Sequence, residues 1–288
     1  FKLPGRQRDA SIWLRKNPHR LHLGMIGLDL ADPSKLTSVH EKLCLWTGMV
    51  RSRFLYDGKH YDVQTVCSPV ADEIASKIIA EENPRVILRF PYPSGGHSDD
   101  ACDWHADGKH SVTMQKKLSH GVILRHTIGS TVYGVRITWK GEAGFKATGR
   151  NRFLLSATGK KLDFTVTFFL ESEGQKFNQR NAGDFRSVSH DAALHWKGYW
   201  QRGAIVDFSH VADPRARELE RRVVLSQYLL AVNDAGDTPP QETGLTYNSW
   251  YGKFHLEMVW WHDAQFALWG HPELLDRVLS WYKKVEPV

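Results

Sequence analysis

The sequence predicts a large antiparallel β-sandwich followed by α-helices. Three observations carry this expectation. Strand-length apolar runs separated by turn signals recur from the N-terminus to about residue 182. Beyond Glu173 the spacing of apolar residues changes from alternation to a helical period. A break rich in Pro and Gly, Gly236 to Gly244, then divides two helical stretches.

The strands read in order as follows. Arg51 to Tyr56 and His60 to Val66 flank Asp57-Gly58, a dipeptide that favours a tight hairpin between alternating runs. Ile74 to Ile79, Val86 to Phe90, Gly121 to His126, Val132 to Trp139 and Arg152 to Leu155 continue the pattern. In Leu162 to Leu170, the residues Leu162, Phe164, Val166 and Phe168 alternate with Asp163, Thr165 and Thr167, as in a strand with one buried face. Pro91 to Lys109 reads as a long loop. It holds His97, Asp99, Asp100, Cys102, Asp103 and His105, all metal-ligand types, but their irregular spacing favours a polar loop without metal.

Four helices are expected. Ser189 to Arg202 places Leu194, Trp196 and Trp200 at helical spacing. Asp213-Pro214 forms an N-cap and first-turn Pro for a long amphipathic helix over Glu218 to Val232. His255 to Trp269, ended by Gly270, and Pro272 to Lys284 complete the set. The resulting organisation is a β-sandwich domain over 1–182, a linker helix region over 183–212 and a helical region over 213–288.

Composition narrows the function classes. The chain has 288 residues, 41% of them apolar, enough for a sizeable core. The formal charge of +6 is spread along the chain rather than gathered in a stripe, which argues against a nucleic-acid partner. No apolar stretch is long enough for a membrane span. Three cysteines, Cys44, Cys67 and Cys102, show no CxxC spacing, so buried free thiols are expected rather than a disulfide framework or zinc site. Of 11 tryptophans, seven follow residue 195, and their crowding marks the C-terminal part as a place for flat apolar platforms.

The window Pro240 to Gly270 carries the chemistry. Its loop of small polar and aromatic residues, Thr246 to Tyr251, leads into the third helix. Glu257 falls in the first turns, where the helix dipole favours a carboxylate. Glu257 and Trp261 are four apart and share a face. A carboxylate beside an indole suits a sugar ring: charged hydrogen bonds meet the hydroxyls and the ring stacks under the C–H face. A core-facing aromatic helix with a dipole-paired Glu accounts for the same residues. His255 and His262, seven apart, lack the one-turn spacing of a zinc helix.

Ser189 to Gly270 resembles the start of the catalytic domain of glycoside hydrolase family 65 and its relatives, which include disaccharide phosphorylases and α-glucosidases. The resemblance rests on His190, Trp196 and Trp200 in a linker helix, a long helix over Arg215 to Val232, and Gly244-Leu245. It continues through Tyr251 and the run Gly252-Lys-Phe-His-Leu-Glu-Met258. Set against the family pattern G-H-x-F-W-D-T-E, Gly252 matches its Gly and Glu257 its Asp. Lys253, His255 and Leu256 depart from its His, Phe and Trp. Leu43 to Gly48, Ser52 to Phe54 and Val63 to Pro69 resemble strands of the family's N-terminal sandwich.

The resemblance implies that 213–288 is the beginning of an (α/α)6 barrel, incomplete here, and that the chain is a fragment of a longer enzyme. It implies a glycosidase that cleaves a glycosidic bond with inversion, its general acid expected beyond Val288 and the fragment inactive alone. A disaccharide phosphorylase of the same fold, or a carbohydrate-binding protein without catalysis, are the alternatives. Glu257 is implied as a hydroxyl-binding carboxylate, with Trp250 and Tyr251 lining the pocket and Lys253, His255 and Trp261 flanking it. The expected partner is an oligosaccharide or glycoside, with no cofactor, metal, nucleic acid or membrane involved and a homodimer left open. A periplasmic or extracellular location is favoured, the chain opening at Phe1 without a signal.

Overall fold

Asp57 and Gly58 form the tight turn expected of them. Both have positive φ, 51° and 75°, as the mirror-image hairpin turn requires. In this computed structural model the turn joins β3 (Met49–Tyr56) to β4 (Lys59–Cys67) in antiparallel register, with Tyr56 opposite Lys59. The structure describes residues 4–17, 19–99, 101–170, 183–243 and 247–286. Asp100 and the Gly244-Leu245 pair of the family pattern lie outside them.

The chain divides into two compact units. The first comprises Leu23–Tyr92 and Trp104–Lys197, and the second comprises Phe1–His22, Pro93–Asp103 and Gly198–Val288. The first unit is a sandwich. It contains β1 (Met25–Leu28), β2 (Leu36–Cys44), β3, β4, β5 (Glu73–Ala80) and β6 (Arg85–Arg89), before the two-residue segment β7 (Tyr92–Pro93). After the short segments β8 (Ser98–Asp99) and β9 (Cys102–Asp103) it resumes with β10 (Ser111–Leu118), β11 (Gly121–Ile128), β12 (Thr131–Lys140), β13 (Ala143–Gly149), β14 (Arg152–Ala157) and β15 (Lys161–Leu170). An eight-stranded sheet runs β10-β11-β12-β15-β5-β4-β3-β2, and a four-stranded sheet runs β1-β6-β14-β13.

The core lies between the sheets. Leu124, Val135, Ile137, Leu162 and Val166 from the larger sheet meet Val86, Leu88, Phe153 and Leu155 from the smaller one. Each such side chain contributes roughly 1.5–3 kcal/mol by leaving water. Ile74 to Ile79 is a strand as read, within β5. The other face of β15 departs from expectation: Thr165 and Thr167 are buried rather than solvated. The first helix after the sandwich, Phe185–Arg202, covers that side of the sheet through Val188 and Ala192, which pack on Val66 and Ala75. The buried hydroxyls are satisfied locally. Thr165 Oγ1 lies 2.7 Å from Thr138 Oγ1, and Thr167 Oγ1 donates to Glu73 Oε2 at 2.6 Å.

The N-terminus and the cysteines also depart from expectation. The N-terminus, read as β, begins with a helix, α1 (Gly5–Lys16), whose last turn carries Arg15 and Lys16 where the dipole favours cations. The cysteines are not buried: Cys44 and Cys102 are half-buried and Cys67 is exposed.

The helical unit contains the end of α2 (Phe185–Arg202), then α3 (Ala216–Asp234) and β16 (Asn248–Ser249). The helices α4 (Met258–His262), α5 (Ala264–Leu268) and α6 (Pro272–Val285) complete it. Asp213 does not cap α3 as expected. Its carboxylate instead accepts from Arg215 N at 2.9 Å and pairs with the Arg215 guanidinium, and the helix starts at Ala216. The single helix read over His255 to Trp269 is two short ones broken at Asp263. Around the break, His271 stacks on Tyr199 with ring centroids 4.0 Å apart, and Ala204 N donates to Trp269 O at 2.8 Å.

Candidate functional site

The short ladder between β8 and β16 organises the site within the helical unit. Asn248 pairs with Asp99 and Ser249 with Ser98, antiparallel. The next position along brings Trp250 to His97. Their ring centroids lie 5.0 Å apart at 61°, and His97 makes a second edge contact with Tyr251 at 5.0 Å and 85°. His255 adds a fourth ring, 5.9 Å from Trp250.

The backbone there turns sharply. Trp250, Tyr251 and Gly252 all have positive φ, 48°, 65° and 62°. Such strain in two aromatic residues persists only where surrounding bonds hold it. Asn248 is one such anchor: it is fully buried and donates through Nδ2 to Ser94 O at 2.6 Å. A Cβ at Gly252 would lie 2.8 Å from Asn248 Oδ1, so the turn needs glycine there. Arg20 N donates to Gly252 O at 3.1 Å, tying the N-terminal segment to the same turn.

The predicted residues fall into two groups. Trp250, Tyr251 and His255 are together, around His97. Glu257 and Trp261 lie on the next stretch. Glu257 immediately precedes α4 in a helical backbone conformation and makes no capping bond; it is solvent-exposed. Trp260 and Trp261 are 71% and 68% exposed, and Leu256 and Leu268 beside them are exposed too. Within the described residues this stretch leaves a carboxylate and two indoles exposed. Among the described residues, no ring contact joins Trp261 to the Trp250 cluster. Lys253 joins the first group through its backbone, its N donating to Trp250 O at 3.4 Å. Its ammonium donates to Leu14 O at 2.8 Å and Asn17 O at 3.1 Å, so it caps the carbonyl end of α1.

A buried acid pair escaped sequence reading. Asp234 ends α3 and Asp263 sits at the α4–α5 break, 4% and 0% exposed. Burial pushes each carboxyl up to about 7, and for Asp234 the Asp263 charge adds to this while Arg20 opposes it. Both Asp263 oxygens lack a hydrogen-bond partner among the described residues. Arg20 is held by Thr238 Oγ1 at 2.9 Å and Pro239 O at 2.5 Å. The sequence placed Asp263 inside an uninterrupted helix, where an acid reads as a solvated position. Only the break turns it inward. His97 was hidden differently, since a loop histidine far from Trp250 in sequence carries no signal of its ring partners.

Glu257 can accept bonds from hydroxyls in water, while a flat apolar ligand face can stack on Trp260 or Trp261. Asp234 and Asp263, raised to about 7, are partly protonated at neutrality, but their burial keeps them from a substrate. Among the described residues, no group of three or more His, Cys, Asp and Glu side chains could hold a metal ion.

No protein-family model matches the chain, and no curated protein matches it in sequence. Solved structures do. A bacterial glucoamylase complexed with acarbose superposes with a TM-score of 0.54 at 10% identity, covering 91% of this chain and 44% of that one. The likeness to the glucoamylase is one of fold. The family GH92 inverting mannosidase from Bacteroides thetaiotaomicron matches over 55% of this chain and 23% of that chain, at 12% identity and TM-score 0.36. A human-microbiome protein described by kojibiose phosphorylase activity matches over 69% of this chain and 28% of that chain, at 11% identity and TM-score 0.42. The fold assignment rests on the glucoamylase, of whose length this chain spans less than half.

Proposed function

We propose that this chain contributes the sandwich and the first barrel helices of a carbohydrate-active enzyme, and that its helical unit supplies a saccharide-binding surface. The observation that carries this is Glu257, an exposed carboxylate without a hydrogen-bond partner among the described residues, next to two largely exposed indoles. An exposed indole offers a flat apolar platform, and a sugar offers both a C–H face to stack on it and hydroxyls for the carboxylate. The glucoamylase-like fold supports the same reading.

The reaction proposed is hydrolysis of a glycosidic bond with inversion. A carboxylic acid protonates the leaving oxygen while a carboxylate takes a proton from the water that attacks the anomeric carbon. We assign neither role to a described residue. Glu257 holds hydroxyls of the sugar beside the cleaved bond, Trp250 and Tyr251 line the pocket, and His255 and Trp261 flank it.

The test is turnover of maltose, kojibiose and mannobiose by the complete enzyme. Glu257→Gln should lower kcat/KM by at least about 100-fold with an unchanged circular dichroism spectrum, as expected when a charged hydroxyl contact is lost at the reacting sugar. Near-normal turnover removes Glu257 from the site. The same assay with and without phosphate separates hydrolysis from phosphorolysis: a requirement for phosphate overturns hydrolysis.

A further inference from the structure

His97 lies in the stretch between β7 and β9, far in sequence from the residues proposed to hold sugar, yet it is the hub of their aromatic cluster. It makes edge contacts with both Trp250 and Tyr251, each at 5.0 Å, and remains solvent-exposed. Trp250 is itself 49% exposed. Tyr251 and His255 are half-buried, so the exposed part of the cluster is the His97 imidazole beside the Trp250 indole, a polar ring next to a flat apolar face.

The placement of His97 is built rather than incidental. The antiparallel register of β8 on β16 delivers it opposite Trp250. Ser94 N donates to Ala101 O at 2.9 Å, closing the stretch on itself, and Ser94 O accepts from the buried Asn248 side chain. Gly95 passes so near the N-terminal segment that a Cβ would lie 2.3 Å from Lys16 O and 2.7 Å from the His19 ring. The opposing turn holds Trp250 and Tyr251 in left-handed conformations. The backbones on both sides of the three rings are thus anchored by hydrogen bonds and close contacts, as a recognition surface needs.

We infer that His97 is a sugar-binding residue of the same site, its imidazole hydrogen-bonding a hydroxyl of the saccharide that packs on Trp250 and Tyr251. This rests on the saccharide-binding reading given above. The ligand class is a neutral pyranoside, whose C–H face can cover the Trp250 ring while one of its hydroxyls meets the imidazole. A segment of the helical unit far in sequence from Trp250 thereby takes part in selecting the sugar.

The experiment titrates the full chain with maltose, kojibiose, mannobiose and acarbose, reading tryptophan fluorescence and calorimetry. His97→Phe keeps a ring for the edge contacts and removes the nitrogens. It should weaken binding of the preferred sugar about tenfold, a change on the order of one hydrogen bond, with the melting temperature unchanged. His97→Gln restores a donor and an acceptor and should recover part of the affinity. Wild-type affinity in His97→Phe, with binding lost in Trp250→Ala, overturns the role of His97 while leaving the sugar site standing. No binding of any of the four sugars to the wild-type chain overturns both.

Discussion

His110 Nδ1 lies 2.7 Å from His126 Nε2 inside the sandwich, and the two imidazoles form the middle of a polarised hydrogen-bond chain. Backbone groups lock both ends. Val112 N donates to Asn151 Oδ1 at 2.8 Å, which turns the amide so that Nδ2 donates to His110 Nε2 at 3.2 Å. At the other end Tyr133 Oη donates to Leu23 O at 2.6 Å and so accepts from His126 Nδ1 at 2.5 Å. His110 must then carry its proton on Nδ1 and His126 on Nδ1 as well, and both rings are neutral.

This chain makes the sandwich acid-sensitive. Burial, with His110 as a second cause, pushes His126 down to about 4, and burial also lowers His110 against the opposing pull of Asp107, 3.8 Å away. An extra proton would set two N–H groups facing each other. The folded state therefore binds fewer protons than the unfolded chain between about pH 6.5 and 4. Stability is complete above that window and falls as pH drops through it, by up to about 3 kcal/mol. Melting temperatures of the wild type and His126→Gln, measured from pH 7.5 to 4.5, should diverge at neutral pH and converge in acid. Parallel curves would remove the device.

The acid pair of the helical unit has the opposite sign. Asp234 and Asp263 are raised to about 7, so the folded state holds protons that the unfolded chain releases near pH 4. Their contribution is fully present below about pH 4 and is lost as pH rises through 7. Asp263→Asn keeps the shape and removes the charge. It should raise the melting temperature at pH 8 relative to wild type and change it little at pH 4.5. A variant equally destabilised at both values would show that the carboxylate has a partner in solution.

Lys253→Met tests a structural role against a ligand role. The ammonium holds the last carbonyls of α1, so its loss should release that helix, costing about 1–2 kcal/mol and lowering amide protection over residues 5–16. Unchanged protection together with weakened sugar binding would return Lys253 to the substrate.

Gly203 is set by the Tyr199–His271 stack. A Cβ there would lie 2.2 Å from His271 Nε2, whereas one at Gly198, within α2, would meet nothing within 4 Å. Gly203→Ala should destabilise the chain by about 1–3 kcal/mol through overpacking, and Gly198→Ala should be neutral or stabilise by up to about 1 kcal/mol. Equal melting temperatures for the two variants would contradict the packing described here.

What the sequence determined by itself follows a physical line. The eight runs read as strands correspond to β3, β4, β5, β6, β11, β12, β14 and β15, which occupy the interior positions of the two sheets. Within these two sheets the strands that went unread, β1, β2, β10 and β13, are the four edges. An interior strand must bury side chains and so writes an apolar pattern. An edge strand such as β2, mostly exposed, has little to bury and writes almost none. The periods of α2, α3 and α6 were legible for the same reason. Tertiary structure alone decided the break at Asp263, the inward turn of that acid, the loss of Lys253 to a helix end and the arrival of His97 beside Trp250. Those outcomes depend on hydrogen bonds and close contacts between segments far apart in the chain, and no local period encodes them.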